Sequence, residues 1–368
     1  MNDFSLWQGI HNTVIAARKM KGLHKAPFMY TRAAQKLLYK ITTGKDMFRD
    51  VIIQTNVSCT AKCKGCSVQG IANSQRDALE LDEVFKIVDV VRKLGGHAVI
   101  LTGGEPTLYP CMADVVRYAR SKAMMTHSST NGIAVTKKLL DNLHSAGLTT
   151  LAFNFWGIGK NHDEEVGVPG AYEKLLNNFE YSIKIGLTYF MNHVTTRQAL
   201  ENGDTFKLID LALEKGCRGI TLVDPCAYDA EAQDFLLSDE EFAYIDRKLK
   251  EKGVYHLVNK CARRLWGPPS CAAGTGRIFV TAYGDVCPCD YIPISFGNIR
   301  EQHLEEIVRE MQRYASIFAC SACIAARDRG FVEKYIMPVF QSGEDPLYYR
   351  KHPAFNGGTT ALTQREQA

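Results

Sequence analysis

From Val51 to Asp224 the chain alternates short apolar runs with amphipathic ones, the pattern of strands joined by crossover helices in a parallel sheet. Strands are expected at Val51 to Asn56, Ala98 to Thr102, Met125 to Thr130, Thr149 to Phe155, Thr188 to Thr195 and Gly219 to Asp224. Helices are expected near Leu81 to Leu94, Met112 to Ser121, Thr136 to Ala146, Ala171 to Ile185 and Thr205 to Glu214. Six such units are too few for an ordinary eight-stranded barrel. Parallel α/β sheets bind ligands beyond the C-terminal ends of their strands, so the residues just past each strand are the ones to read for chemistry.

Past the first strand stand Cys59, Cys63 and Cys66 in a CxxxCxxC run. An iron–sulfur cubane is ordinarily held by four thiolates, so three leave one iron open to a ligand. The competing reading is zinc, which in structural sites takes CxxC pairs and four closed ligands. Twelve cysteines in a chain without a secretory leader pattern point to metal clusters rather than disulfides. No apolar run approaches the length of a membrane span, and the composition, 46% hydrophobic and 23% charged, is that of a globular cytoplasmic protein. The sequence has no P-loop and no GxGxxG fingerprint, and nothing in it suggests a nucleic-acid partner.

Past the second strand stands Thr102-Gly103-Gly104-Glu105-Pro106, and with it the chain resembles the radical S-adenosylmethionine (SAM) superfamily. The resemblance implies a partial (β/α)6 TIM-type barrel, an α/β fold in which Cys59, Cys63 and Cys66 hold a [4Fe-4S] cluster. SAM would chelate the open iron, with Gly103, Gly104 and Glu105 at its methionine ammonium. Glycines let backbone approach a ligand, and a carboxylate or free carbonyls at a strand end accept from an ammonium. Ser129-Thr130-Asn131-Gly132 is similar to the family's STNG segment, which makes Ser129 and Asn131 cofactor-binding candidates; a plain Asn-Gly turn is the alternative. Asn154 stands where relatives often carry a serine that touches SAM. The His162-Asp163 pair, with Pro169-Gly170-Ala171-Tyr172, resembles the family's lead into the next helix.

Two further departures, beside Asn154 in place of serine, stand out. Gly65 replaces the aromatic residue usual before the third cysteine, and Val166 stands where relatives often place an arginine that meets the SAM carboxylate. Arg197, Lys160 or Asn154 are the substitutes that charge and hydrogen-bonding capacity offer.

A second cysteine set follows. Cys271, Gly284 and Cys289 fit the opening of the family's SPASM and twitch extensions, Gly297-Asn298-Ile299 follows, and Cys320 and Cys323 add a CxxC pair. No cysteine occurs after Cys323, so the shorter twitch form, a β-hairpin plus helix, is the better fit. Four thiolates would close one auxiliary [4Fe-4S] cluster as a relay or staple; a zinc ribbon is the alternative. Cys287 competes with Cys289 as ligand. Cys111, Cys217 and Cys261 read as ordinary packed thiols. Cys226, in Asp224-Pro225-Cys226 at the barrel mouth, is a candidate hydrogen-atom donor by analogy with radical SAM epimerases, against a packing role.

The domains so defined are a basic amphipathic extension over 1–50, the barrel over 51–255, the auxiliary domain over 256–335 and an aromatic, basic segment with a tail over 336–368. Residues 1–50 hold nine Lys or Arg against three Asp or Glu, while the whole chain carries only +4. Such helices dock on their own barrel or lie peripherally on anionic membranes. The expected function is radical SAM oxidation or dehydrogenation of a small molecule, similar to the twitch-domain aminocyclitol dehydrogenases, fed by an electron donor such as flavodoxin or ferredoxin. Modification of a lipid, an isoprenoid or a peptide is the alternative, and a non-catalytic zinc or iron–sulfur module is the alternative of another class.

Overall fold

A computed structural model of the chain describes residues 38, 42, 48–66, 76–217, 219–225, 236–258, 271–320 and 323–356. Cys226, Cys261, nearly all of the basic extension and the last residues lie outside them. Seven parallel strands form the barrel wall: β1 (Asp50–Gln54), β2 (Ala98–Thr102), β3 (Met125–Thr130), β4 (Thr150–Phe155), β5 (Phe190–Val194), β6 (Gly219–Val223) and β7 (Tyr255–Val258). Between them run α1 (Leu81–Lys93), α2 (Met112–Ser121), α3 (Lys137–Ala146), α4 (Lys160–Val166), α5 (Ala171–Lys184), α6 (Arg197–Glu201), α7 (Asp204–Glu214) and α8 (Asp239–Glu251). These bounds follow the sequence pattern because each helix carries one apolar stripe. Val84, Ile87, Val88 and Val91 of α1, for example, fall on the face that packs against the sheet.

The structure goes beyond six units in two places. β7 follows α8 and crosses the boundary expected at residue 255. More consequentially, β8 (Arg277–Val280), expected in a separate C-terminal domain, pairs in parallel with the free edge of β1, Val51 facing Ile278 and Ile52 facing Phe279. β9 (Val286–Cys287) then pairs antiparallel with β8, giving one nine-stranded sheet in the order β7-β6-β5-β4-β3-β2-β1-β8-β9. An open barrel leaves two bare edges, and the hairpin covers one of them. The turn between β8 and β9 needs Gly284, whose φ of 87° suits glycine.

A buried ion pair marks that seam. Arg277 donates from Nε to Asp50 Oδ1 at 2.5 Å and from Nη2 to Oδ2 at 3.0 Å, and Arg49 Nε adds a third bond at 2.6 Å. Burial alone would raise the Asp50 carboxyl, but the two guanidiniums more than offset it and hold it well below the usual carboxylate range.

The hairpin and α9 (Leu304–Gln312) form the small C-terminal layer. The aromatic segment near its end packs there: Tyr349 is 3% exposed and stacks on Phe296 with centroids 4.7 Å apart, beside Tyr314 and Phe355. β10 (Ile294–Ser295) pairs in parallel with β11 (Leu347–Tyr348), fixing the segment to the layer. Among the described residues, no helix is long and apolar enough to cross a membrane.

Candidate active site

The loop after β1 carries Cys59, Cys63 and Cys66, and neighbouring backbone stitches it down on both sides. On one side Gly104 N donates to Asn56 O at 3.0 Å, Glu105 N to Ser58 O at 2.7 Å, and Asn56 Nδ2 to Glu105 O at 3.0 Å. A Cβ on Gly103 would sit 2.9 Å from Asn56 O, and one on Gly104 would overlap Ser58 O and lie 2.6 Å from Val57 O. The two glycines are therefore required by the cysteine loop itself, beyond any ligand approach. On the other side Lys62 N donates to Val166 O at 2.9 Å and Lys64 N to Glu165 O at 3.2 Å, so the C-terminal turn of α4 grips the loop's middle.

The Glu105 carboxylate is engaged within the chain. It is 1% exposed, and Oε1 accepts from Thr107 N (3.1 Å), Thr107 Oγ1 (2.5 Å) and Thr130 Oγ1 (2.7 Å), while Oε2 accepts from Asn131 N (2.8 Å). Burial pushes its pKa up although these bonds pull it down. A carboxylate so engaged clasps the ends of β2 and β3 together. Asn131 likewise turns toward the cysteine loop, with Nδ2 3.2 Å from Thr60 Oγ1 and 3.5 Å from Cys59 Sγ.

The three cysteines, Gly103, Gly104, Glu105, Ser129, Asn131 and Asn154 all line one cavity of about 500 Å³ at the strands' C-terminal ends. Cys271, Cys289 and Cys323 line the same cavity. Cys320 joins them through the backbone, its carbonyl accepting from Cys271 N at 2.7 Å. Cys287 is instead fully buried among Ile52, Phe279 and Tyr283, where burial drives its thiol well above the ordinary range. Of the two competing cysteines, it is therefore Cys289 that faces the cavity. Cys217 is an ordinary buried thiol, pushed up to about 12 by burial.

Two of the substitutes for the missing arginine lie elsewhere. Arg197 reaches Leu236 O and the Glu241 carboxylate, and Lys160 is exposed on α4 away from the cavity wall. Val166 is 1% exposed in an apolar cluster with Trp156, Ala171 and Val194, against Ala61 and Cys63.

Asn192 of β5 was not foreseen. Its Nδ2 donates to Ser129 Oγ at 3.1 Å and Asn154 Oδ1 at 2.9 Å, while its Oδ1 is buried and unpaired. The only sequence signal is the pair of polar residues, Asn192 and His193, inside the strand Phe190-Met191-Asn192-His193-Val194. A buried acceptor left unpaired in a cavity wall is a place for a ligand's donor.

These residues fit the cofactors that the sequence implies. Three thiols, Cys59, Cys63 and Cys66, stand on one wall of the cavity, the donor set that a cubane with one open iron takes. The glycine strip and the unpaired Asn192 oxygen adjoin them. Among the described residues no three His, Cys, Asp or Glu side chains converge on a single metal ion.

A partial α/β barrel with an open thiol triad and a second cysteine set on one cavity defines an enzyme of the iron–sulfur, SAM-cleaving class. The radical SAM superfamily model matches residues 53–221, and that of the SPASM iron-sulfur cluster-binding domain matches residues 271–327. The chain belongs to the radical SAM superfamily, with a SPASM/twitch-type auxiliary domain, and its cofactors are SAM and [4Fe-4S] clusters, one of them auxiliary. It is 26% identical over 305 residues to an AdoMet-dependent heme synthase of Methanosarcina barkeri, covering 75% of this chain and 82% of that protein. It is 27% identical over 173 residues to an Fe-coproporphyrin III synthase of the same organism, covering 46% and 43%. Among solved structures, Streptococcus suis SuiB bound to its precursor peptide SuiA superposes with a TM-score of 0.62 at 16% identity, over 87% of this chain and 79% of that one. AdoMet-bound anSMEcpe superposes at 0.59 and 16%, over 73% and 83%. At these identities the structural likeness concerns the fold.

Proposed function

We propose that this radical SAM enzyme oxidises a small molecule held in the cavity, with the auxiliary cluster accepting the second electron. The observation that carries this reading is that Cys59, Cys63 and Cys66 share one cavity of about 500 Å³ with Cys271, Cys289 and Cys323. When bound, the cluster and SAM supply a 5′-deoxyadenosyl radical, and the protein orients the substrate and excludes water. Loss of one hydrogen atom would leave a substrate radical that must still give up one electron and one proton to reach a closed-shell product. Cys271, Cys289, Cys320 and Cys323 would hold the auxiliary cluster that could take up that electron, and the proton would go to a base or to solvent. Ile52, Ile100, Trp156 and Val223 keep the wall apolar, while Ser129, Asn154 and Asn192 supply its orienting polar groups. A low-potential protein such as a flavodoxin or ferredoxin supplies the first electron.

The test uses the anaerobically reconstituted, reduced enzyme. SAM should be cleaved to 5′-deoxyadenosine, and the triple change of Cys59, Cys63 and Cys66 to Ala should abolish cleavage. Undiminished cleavage in that variant would refute the assignment. Cys271→Ala and Cys289→Ala should retain SAM cleavage yet lose product formation; full turnover in them rules out the relay.

A second reading concerns the substrate. Relatives named for heme and Fe-coproporphyrin III synthesis favour a tetrapyrrole. Iron coproporphyrin III incubated with enzyme and SAM should change mass and stimulate 5′-deoxyadenosine formation. Cleavage of SAM with the porphyrin unaltered excludes it. The lipid reading depends on residues 1–50 and is tested by flotation with anionic vesicles.

Lys62 takes the place of the absent arginine in this reading. It lines the cavity, its backbone is bonded to Val166 O, and its ammonium has no partner among the described residues. Lys62→Met should raise the SAM dissociation constant roughly tenfold, the order of one hydrogen bond to a charged group. Lys62→Arg should restore it, and Lys160→Met should leave it unchanged. A dissociation constant that Lys62→Met does not move discards the role.

A further inference from the structure

We propose that Asn131 donates a hydrogen bond to the Cys59 thiolate and thereby raises the reduction potential of the cluster held by Cys59, Cys63 and Cys66. The proposal rests on the reading of those cysteines as cluster ligands. It gives Asn131 a task other than touching SAM.

The geometry fixes which end of the side-chain amide faces the sulfur. Oxygen and nitrogen of such an amide are told apart by their hydrogen-bond partners. Ile133 N, itself a donor, lies 3.0 Å from Asn131 Oδ1, so this position must be the oxygen. Nδ2 with its two protons then faces Thr60 Oγ1 at 3.2 Å and Cys59 Sγ at 3.5 Å. The turn carrying it is held as well: Asn131 N donates to the buried Glu105 carboxylate at 2.8 Å, and Thr130 Oγ1 to the same group at 2.7 Å. Asn131 is 9% exposed, so water competes little for the amide.

Cys59 Sγ also accepts from Ala61 N at 3.4 Å. One sulfur thus receives an N–H from its own loop and another from the end of β3. Donors to ligand sulfurs favour the more negative, reduced cluster and so raise its potential. Asn131 is a positioning and tuning residue on this account: it acts through Cys59, and its signature is a potential rather than a rate alone.

The experiment is a redox titration of the reconstituted holoenzyme without SAM, followed by electron paramagnetic resonance. Asn131→Asp keeps the size and the oxygen that meets Ile133 N but replaces the donor; Asn131→Leu removes both. Each should lower the equilibrium constant for one-electron reduction about tenfold or more, about 59 mV per factor of ten. Thr60→Val, which loses the neighbouring bond but keeps the donor to Cys59, should change it by less than about threefold. Unaltered potentials in both Asn131 variants overturn the proposal.

A measurement on the unsubstituted enzyme stands independently of how those variants fold. With 15N-labelled asparagine, pulsed resonance of the reduced cluster should show a 15N coupling absent from unlabelled protein; no coupling overturns the proposal. The underlying reading fails in a different way. If the unsubstituted protein forms no [4Fe-4S] signal on reconstitution, the ligand assignment falls, whereas a normal cluster with unshifted potentials removes only the role of Asn131.

Discussion

Gly104→Ala is expected to cost at least about a hundredfold in SAM cleavage and to lower the iron bound per chain. The added Cβ meets Ser58 O and Val57 O, both main-chain atoms that no side-chain rotation can move aside. Overpacking of this kind costs about 1–3 kcal/mol where neighbours can adjust. Here the neighbours are the residues immediately before Cys59, and the bonds from Gly104 N to Asn56 O and from Glu105 N to Ser58 O hold them to the same strip. Relief comes by shifting the loop and its first cysteine, and a misplacement of about 1 Å at a reacting centre can cost about a hundredfold. Gly276→Ala is the control, since its Cβ would find its nearest neighbours at an ordinary 3.8 Å. Iron content and 5′-deoxyadenosine formation together check the prediction, and a Gly104→Ala enzyme with native values of both contradicts it.

Asp50→Asn should destabilise the protein by about 3–5 kcal/mol, because it leaves the Arg277 guanidinium buried beside a neutral amide. The dependence on pH follows from the direction of the carboxyl's shift. Asp50 is held below its unfolded value of about 3.9, so its contribution is complete above that value and is lost as the pH falls through the folded value. The deficit of Asp50→Asn relative to the native chain should therefore be constant between about pH 5 and 7 and shrink below about pH 4. Urea midpoints at several pH values measure it. The double change Asp50→Leu with Arg277→Met should recover much of the loss, since a buried pair can often be replaced by apolar side chains at little cost. A deficit that grows toward acid would contradict the assignment.

Local pattern revealed the barrel well and its closure poorly. β2, β3 and α2 begin and end at the expected residues, β2 because Ala98 to Leu101 is an apolar run and α2 because a covering helix has one apolar stripe, whereas β3 is mostly polar. The pairing of β8 with β1 joins residues more than two hundred positions apart, and nothing in either four- or five-residue run announces its partner. The site divides in the same way. The cysteines, Gly103, Gly104, Ser129, Asn131 and Asn154 were visible because they fall in motifs at strand ends, whereas Asn192 stands in no motif and Lys62 fills an unspecified position of the CxxxCxxC run, so that both matter through the cavity they line. Charge and hydrogen-bonding capacity also brought in Arg197, whose guanidinium is engaged by α8. Residue type named the clasp residue Glu105 but not its partners, which are Thr107 past β2 and Thr130 and Asn131 at the end of β3.

The parallel seam between β1 and β8 has a consequence for the lineage of such enzymes. A chain ending after Val258 would expose the hydrogen-bonding edge of the strand that leads into the cysteine loop, and would leave Asp50 with Arg49 alone for a counter-charge. The C-terminal unit is therefore not a detachable module. Any exchange of it between relatives must carry a strand in the right register and a cation at its start, so substrate range in this architecture can drift within a fixed frame more readily than by shuffling of parts.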